Sequence, residues 1–565
     1  MNAPGKIVPL LGWLPSYRKE WLRLDVVAGL TASAVIIPKA MAYAAIAGLP
    51  LVVGLYSSLI PLVVYAVLGT SRALSVTTTS TIAILVAGTI AQVAPGADAA
   101  NLMAIATTLS LLVGAFLLLA GILRLGAVAN LISEPVLTGF KAGIGLVIVL
   151  DQIPKLLGIH ITKAGFFRDI GAIGQHLAEL SVPTLVLALL MLGLMVGLEH
   201  FTPRVPAPLV TVAAGIALAA YGVLDGKGIQ LVGEVQAGLP AFALPDPALA
   251  EKLWPSALGI ALMSFVESAA AGRAFVSPGE PRPKANQELV ALGAANLAGS
   301  LFQIMPAGGG TSQTAVNRGA GAQSQVAGLV AAAVVVATLL FLAPLFGMMP
   351  QPVLAAVVVV ASIGLISPAE FRSILRVRSM EFRWAVIAMV GVMVLGTLNG
   401  ILIAVIVSLV ALMIHSSRRP VFVLGRKPGT TSFFRPLSAE HPDDETFPGL
   451  LLLKIQGNVH FANASRIGDL IWPLIHQYQP RVLALDCSAM PDVEYTALKM
   501  LTEAEAKLSN SGIVLWLAAL NPEPLQLIQR TPLGETLGRE RMIYSLKHVV
   551  EEYQNRYREE PTRKD

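Results

Sequence analysis

The sequence predicts an all-α polytopic membrane domain of fourteen helices in two inverted seven-helix repeats, followed by a C-terminal α/β domain. Only 13% of the 565 residues are charged, whereas about 25% is typical of soluble domains, and the mean hydropathy is +0.70. Apolar segments follow one another from residue 26 to residue 415, while residues 416–565 have an ordinary soluble composition. Two of the apolar segments begin with polar residues, and these two stand seven segments apart.

Residues 1–24 are predicted to form an interfacial segment on the cytoplasmic side, because Trp, Arg and Lys suit the headgroup region. The transmembrane domain is predicted to cover residues 25–416, with repeats at about 25–225 and 250–416, since about 20 apolar residues suffice to cross a bilayer as a helix. The predicted spans are 26–47, 51–69, 76–92, 103–123, 133–150, 182–198, 206–224, 255–272, 286–304, 311–322, 325–345, 351–367, 383–397 and 399–415. The remaining parts are a linker at 417–446, a soluble domain at 447–556 and a polar tail at 557–565.

Charged loop residues predict the orientation of the membrane domain. The loop FRSILRVRSMEFR contains four arginines, whereas residues 95–101 and the expected tight turn at Asn399 and Gly400 contain no Lys or Arg. Cytoplasmic loops carry the excess of Lys and Arg. Both termini and the soluble domain are therefore predicted to be cytoplasmic.

The third and tenth segments share a polar start. The third reads SVTTTSTIA, and the tenth, PAGGGTSQTAVNRGAGAQ, opens with three consecutive glycines. Glycines allow close approach of the backbone, and the unpaired N–H groups of a helix start bind anions. Paired interrupted segments in inverted halves indicate a transport site at the bilayer midplane. The predicted anion ligands are Thr77, Thr78, Thr79, Gly309, Gly310, Thr311, Ser312 and Gln313. The alternative is a glycine-rich re-entrant loop that only packs helices.

Glu267 is the single acid within ALGIALMSFVESAAAG, residues 257–272. A charge at the bilayer centre costs on the order of 3 kcal/mol on insertion scales, and such residues are usually functional. Glu267 is therefore a candidate functional residue of the membrane domain.

Several blocks of the sequence resemble the sulfate permease (SulP) family. They are DVVAGLTASAVIIPKAMAYAAIAGLP, GLYSSLIPLVVYAVLGTSR, ISEPVLTGFKAGIGLVIVL, ALGIALMSFVESAAAGRAF, NQELVALGAANLAGS and the glycine-rich stretch of the tenth segment. The resemblance implies a mobile core domain, a gate domain, dimers, and a substrate bound where the short third and tenth helices meet. It implies a secondary anion transporter of the bacterial inner membrane, with sulfate as the default substrate. Bicarbonate, dicarboxylates and chloride remain open, as does symport versus exchange.

Some positions depart from the family pattern. Lys39 stands where the family usually has Gln, and Gln313 stands where it commonly has Arg. If both face one cavity, the positive side chain of the site has moved from the tenth helix to the first, where Tyr43 supplies the aromatic residue. The alternatives are that Lys39 extends to an interface or pairs with a carboxylate such as Glu267. By resemblance Glu267 is the coupling acid, and Ala271 lacks the hydroxyl of sodium-coupled members, which favours protons.

The soluble domain, residues 447–556, is predicted to be α/β and resembles STAS domains. GLLLLKIQGNVHFANA, RVLALDCSAM and GIVLWLAAL indicate strands, and ASRIGDLIWPLIHQY and TALKMLTEAEAKL have helical apolar spacing. The stretch Glu494-Tyr495-Thr496-Ala497 replaces the phosphorylated Ser-Gly of bacterial STAS switches. A folding, dimer-packing or regulatory role is therefore preferred over a phosphoswitch.

The expected partners are a small inorganic or carboxylate anion, a proton, the lipid bilayer and a second copy of the chain. The net charge of +5 is attributed to basic residues beside the spans, so nucleic acid is not an expected partner. No HExxH, GxSxG or GxxxxGK[ST] motif occurs, so neither an enzyme nor a cofactor or metal is predicted. Two alternatives remain: a nucleobase permease of the same fold, and a membrane-tethered STAS scaffold that transports nothing.

Overall fold

The computed structural model describes residues 8–557 except 97, 128–132, 163–164, 203–204, 234, 418–420, 458 and 461–462. The first part of the predicted interfacial segment and residues 558–565 of the predicted tail therefore lie outside the described residues. The chain forms two compact units, residues 1–409 and residues 410–565.

The first unit is almost entirely helical, which agrees with the predicted fold class. Its helices are α1 (Leu10–Trp13), α2 (Lys19–Ile46), α3 (Leu51–Leu68), α4 (Ser80–Val93), α5 (Ala99–Ile122), α6 (Glu134–Leu157), α7 (Phe166–Gln175), α8 (Val182–Phe201), α9 (Ala207–Ala220), α10 (Ala250–Ala274), α11 (Ala285–Ser300), α12 (Thr311–Gly319), α13 (Val326–Ala337), α14 (Ala343–Gly347), α15 (Gln351–Ile363), α16 (Pro368–Val377) and α17 (Ser379–Ser417). A helix lies at each predicted span. Within the described residues, nine helices are long and apolar enough to cross a membrane.

Helix α17 contains two spans joined by a sharp break. Gly396 has φ of +81° and is not helical, a conformation that glycine adopts at little cost. A Cβ on Gly400 would lie 2.6 Å from Val392 Cγ2, so the two parts fold back on one another. The break therefore precedes the turn that the sequence predicted at Asn399 and Gly400.

Glycines allow close helix crossings in the first unit. In α5, a Cβ on Gly114 would lie 2.7 Å from the backbone nitrogen of Leu297 and 2.9 Å from the carbonyl oxygen of Gly293, both in α11. Small residues at such crossings let backbones approach within a membrane. The α5–α11 pair forms part of one packed group with α2, α3, α4, α10, α12 and α13, whereas α6, α8, α9 and α15 form a second group.

Two short strands join the interrupted segments of the two repeats. Strand β1 (Val76–Thr77) precedes α4, and strand β2 (Gly308–Gly309) precedes α12. They pair antiparallel, with Val76 opposite Gly309 and Thr77 opposite Gly308. This pairing brings the starts of α4 and α12 together, because each helix begins within three residues of its strand.

The second unit is a six-stranded sheet with helices, in agreement with the predicted α/β class. Its strands are β3 (Val421–Arg426), β4 (Phe434–Pro436), β5 (Leu450–Ile455), β6 (Val482–Asp486), β7 (Val514–Ala518) and β8 (Met542–Ile543), in the order β4-β3-β5-β6-β7-β8. Strands β5 to β8 are parallel, and β3 pairs antiparallel with β4 and β5. Its helices are α18 (Ala464–Tyr478), α19 (Tyr495–Asn510), α20 (Pro522–Gln529), α21 (Pro532–Leu537) and α22 (Leu546–Tyr557).

The linker predicted at residues 417–446 is contradicted in part, because β3 and β4 lie within it. Arg435 of β4 donates to Asp444 through Nε (2.8 Å) and Nη2 (2.9 Å), and these bonds hold the pKa of the Asp444 carboxyl below its usual value. The sequence missed β4 because it has only three residues, and it missed β3 because the apolar run VFVL follows closely on the last apolar span. Thr496 belongs to the stretch that replaces the phosphorylated Ser-Gly of bacterial STAS switches, and it is exposed in the first turn of α19.

Candidate functional site

The starts of α4 and α12 lie at the paired strands and have different caps. At α4, the Thr79 hydroxyl accepts a hydrogen bond from the backbone nitrogen of Ile82 at 3.3 Å. At α12, Gly310 occupies the cap position and provides no side-chain acceptor. The start of α12 therefore keeps backbone N–H groups that can donate hydrogen bonds to a ligand. Both helix starts also carry the positive end of a helix dipole.

Side-chain hydroxyls satisfy the backbone behind these helix starts. The Ser268 hydroxyl accepts from the Gly309 nitrogen at 2.6 Å, and the Ser264 hydroxyl donates to the Ala307 carbonyl oxygen at 2.8 Å. The Thr314 hydroxyl accepts from the Ser75 nitrogen at 3.1 Å. Non-helical backbone at membrane depth requires such partners, because no water is present to replace them.

A cavity of about 890 Å³ opens in front of the two helix starts. Most of the predicted site residues line it, namely Lys39, Tyr43, Thr79, Glu267, Gly310, Thr311, Ser312 and Gln313. Ser373, Ile374 and Val377 of α16 also line it, and they belong to the arginine-rich stretch that the sequence predicts to be cytoplasmic.

Lys39 lies one residue after Pro38 in α2 and points to the start of α12. Its ammonium donates a hydrogen bond to the Ser312 hydroxyl at 3.3 Å. Within the described part of the chain, Lys39 forms no ion pair with Glu267. Tyr43, one turn later in α2, is buried against the same cavity.

Glu267 of α10 is held by the residues at the start of α4. Its carboxylate accepts from the Thr79 hydroxyl at 3.0 Å and from the Thr81 hydroxyl at 2.7 Å. The residue is 7% exposed, and that exposure faces the cavity. Glu267 is therefore tied to the start of α4 while its side chain faces the cavity.

Three predicted ligands lie behind the cavity lining. Thr77 donates its hydroxyl proton to the Gln313 amide oxygen at 2.8 Å, and Gln313 itself is only 2% exposed. The Thr78 hydroxyl is fully buried and has no hydrogen-bond partner among the described residues. Gly309 packs against α10, where a Cβ would lie 2.9 Å from Ser268 Cα.

Sequence analysis missed several residues that line the cavity. Ser80 and Thr81 belong to the start of α4, and a group of charged residues lies on α6, α8, α16 and the start of α17. These charged residues are Glu134, Lys141, Glu199, Glu370 and Glu381. Because the four glutamates lie at the ends of apolar segments or between them, where charges are common, only the fold reveals that they share a cavity with Lys141.

Comparisons with known proteins identify similar sequences over nearly the whole chain. The profile of the sulfate permease family matches residues 22–390, and the profile of the STAS domain matches residues 441–548. A probable sulfate transporter of Mycobacterium tuberculosis is 34% identical over 555 residues, which are 96% of this chain and 99% of that relative. The chloroplastic sulfate transporter 4.1 of Arabidopsis thaliana is 32% identical over 557 residues, which are 94% of this chain and 80% of that relative.

Two solved structures share the fold at lower sequence identity. Murine Solute Carrier 26 family member A9, an anion transporter in the inward-facing state, superposes with a TM-score of 0.89 at 23% identity, covering 98% of this chain and 95% of its own. The transmembrane domain of BicA, a cyanobacterium bicarbonate transporter, gives a TM-score of 0.59 at 23% identity, covering 69% of this chain and 98% of its own.

Proposed function

The chain belongs to the sulfate permease family, and from this premise we propose that it is a proton-coupled secondary transporter of a small anion. Its relatives carry the names of membrane transporters, so the function of the chain is transport and not catalysis. The finer parts of the proposal are the anion site between α4 and α12, the coupling proton and the substrate.

The position of Lys39 is the observation that carries the proposal of an anion site. Its ammonium lies 3.3 Å from Ser312, in the first turn of α12. A cation beside a helix N-terminus is electrostatically unfavourable, because that end already carries about +0.5 of a charge. Such an arrangement in a buried cavity gains stability when an anion enters it.

Glu267 supports the proposal that a proton accompanies the anion. Two helix starts at about +0.5 each, Lys39 at +1 and ionised Glu267 at −1 leave a site charge of about +1. Protonation of Glu267 raises that charge to about +2, which favours a dianion. Anion binding therefore favours protonation of Glu267, and the two travel together.

The residues proposed to contact the anion are those on the cavity lining. They are Lys39, Tyr43, Thr79, Gly310, Thr311, Ser312 and Gln313. Thr77, Thr78 and Gly309 instead hold the two helix starts in place from behind. Sulfate is the first substrate to test, because the relatives are named as sulfate transporters, and bicarbonate, a dicarboxylate and chloride follow.

The chain is further proposed to lie in a bacterial inner membrane as a homodimer, with both termini and the STAS domain in the cytoplasm. The four arginines from α16 to the start of α17 support this orientation. The dimer and the inner membrane rest on the family resemblance alone.

Uptake into proteoliposomes tests the proposal directly. The purified chain is reconstituted, and radiolabelled sulfate, bicarbonate, succinate and chloride are offered with and without an inward proton gradient. We expect one or more anions to accumulate faster with the gradient. Glu267→Gln, which imitates the protonated acid, should still exchange anions but should lose the acceleration.

Three results would contradict the proposal. Accumulation of none of the anions would exclude anion transport and favour the scaffold alternative. Uptake of uracil in place of anions would favour the nucleobase permease. Gradient-driven accumulation by Glu267→Gln would show that another group carries the proton.

A further inference from the structure

The cavity has two walls that differ in charge. One wall belongs to the first packed group and carries Lys39, Glu267 and the two helix starts. The opposite wall belongs to α6, α8, α15, α16 and the first turn of α17, and its charged residues are Glu134, Lys141, Glu199, Glu370 and Glu381. The opposite wall, with four carboxylates and one ammonium, is therefore negative overall.

Most cavity carboxylates are stabilised where they lie. Glu370 accepts a hydrogen bond from the Thr138 hydroxyl at 3.1 Å, and Glu381 lies 3.7 Å from Arg378. Glu134 is in the first turn of α6, where a helix dipole favours negative charge. Each of these carboxylates therefore has a partner or a favourable helix dipole beside it.

Glu199 has neither a favourable helix dipole nor a hydrogen-bonding partner among the described residues. It lies in the last turn of α8, where the helix dipole disfavours negative charge. Among the described residues, no hydrogen bond or ion pair is made by its side chain. Glu199 lines the same cavity as Lys39, and its carboxylate attracts the Lys39 ammonium.

We propose that Glu199 is an internal counter-ion of Lys39 that competes with the transported anion and sets the charge preference of the site. In the empty cavity Lys39 is attracted by the fixed carboxylate of Glu199. A bound anion takes the place of Glu199 as the partner of Lys39. Glu199 repels that anion in proportion to the charge of the anion. This inference rests on the proposed anion site, and it identifies a residue that determines specificity.

The expected effect follows from electrostatics. If direct repulsion by Glu199 weakens the binding of a monoanion by a certain factor, that repulsion weakens the binding of a dianion at the same position by the square of the factor. At separations of several ångströms in a partly solvated cavity, about fivefold for chloride and about 25-fold for sulfate are reasonable magnitudes. Glu199→Gln should therefore shift the preference of the site toward dianions.

A binding experiment with a double-mutant cycle tests the inference. The Kd of radiolabelled sulfate is measured for the purified full-length chain, and chloride affinity is measured by competition. The variants are Glu199→Gln, Lys39→Gln and the combination. Because Glu199 is proposed to act on the anion both directly and by attracting Lys39, its effect should shrink at least threefold in the Lys39→Gln background.

Two carboxylates on the same wall provide matched controls. Glu134→Gln and Glu381→Gln also remove one negative charge from the cavity, and each should change the sulfate Kd less than twofold. Gel filtration and thermal unfolding of every variant confirm that the fold is retained.

The possible outcomes separate this inference from the proposed function. If the wild-type chain shows no saturable anion binding, the proposed function fails and the inference fails with it. If the wild type binds sulfate and Glu199→Gln leaves Kd unchanged or weakens binding, only the inference is contradicted. Equal changes in the sulfate Kd for Glu134→Gln and Glu199→Gln would also contradict the inference. They would indicate that the negative charge of the whole wall, and not Glu199 in particular, determines anion affinity.

Discussion

At the scale of single residues, Lys39 and Gln313 make complementary contributions to the cavity. The ammonium of Lys39 reaches Ser312, and the Gln313 amide oxygen accepts from Thr77. Both residues line the cavity although they come from α2 and α12. A positive charge supplied from either position is therefore close to the same helix start.

This arrangement predicts a partial exchange of roles between the two positions. Lys39→Gln should raise the anion Kd by about tenfold or more, because a charge-assisted interaction contributes about 1.5–3 kcal/mol. Adding Gln313→Arg should recover part of that loss. Recovery should be incomplete, because an arginine cannot accept the hydrogen bond from Thr77. A double variant no better than Lys39→Gln in sulfate binding would contradict the idea of a relocated charge.

The two buried threonines of the third segment predict opposite effects on stability. Thr78→Val removes a buried hydroxyl that has no partner among the described residues, so we expect a higher Tm and an unchanged sulfate Kd. Thr77→Val removes the donor to Gln313 and should lower stability by about 1 kcal/mol. Thermal unfolding in detergent and sulfate binding measure both quantities. A raised Kd for Thr78→Val would instead identify its hydroxyl as a ligand of the anion.

The sequence identified Lys39 and Glu267 because a charge inside an apolar segment is visible without a structure. It could not distinguish Thr79, which lines the cavity, from Thr77 and Thr78, which lie behind it. Neighbouring residues with the same chemistry differ there only in the direction of their side chains. Glu199 was missed for a related reason, since its importance depends on a residue of a distant helix.

At the scale of elements, the sequence predicted the helices of the membrane unit better than the connections between them. Apolar length determines where a helix lies, whereas the break in α17 occurs at Gly396 and not at Asn399 and Gly400. The β1–β2 pair was not predicted, because two residues per strand leave no periodic pattern. The position of the helix starts nevertheless depends on that pair.

Close packing of α5 on α11 predicts that two glycine-to-alanine substitutions will change the Tm in opposite directions. Glycine in a helix is about 0.5–1 kcal/mol less stable than alanine when nothing else changes. Gly193→Ala in α8 should therefore be neutral or slightly stabilising, since a Cβ there meets nothing within 4 Å. Gly114→Ala should lower the Tm by several degrees, because its Cβ would contact the backbone of α11 at 2.7 Å. Equal Tm values for the two variants would contradict this packing.

At the scale of the whole molecule, the chain combines a membrane unit and a STAS domain, and the lone cysteine lies in the second. Cys487 is 2% exposed, and burial together with the neighbouring Asp486 carboxylate raises the pKa of its thiol to about 12. At pH 8 only about one thiol in 10,000 is then ionised, and the thiolate is the reactive form. Because folding raises this pKa, the thiol becomes more reactive, and the fold less stable, as pH rises from about 8.5 toward 12. The native chain should therefore react very slowly with maleimides at neutral pH.

This unreactive background makes the predicted topology directly measurable. Single cysteines in place of Ala99 and Asn399 should react with an impermeant maleimide from the periplasmic side, because their loops lack Lys and Arg. A cysteine in place of Arg376, which is exposed on α16, should react only after the membrane is permeabilised. The unmodified chain, whose one thiol is Cys487, provides the control, and it should be labelled only after denaturation. Labelling of positions 99 and 376 from the same side of intact cells would contradict the inverted repeat.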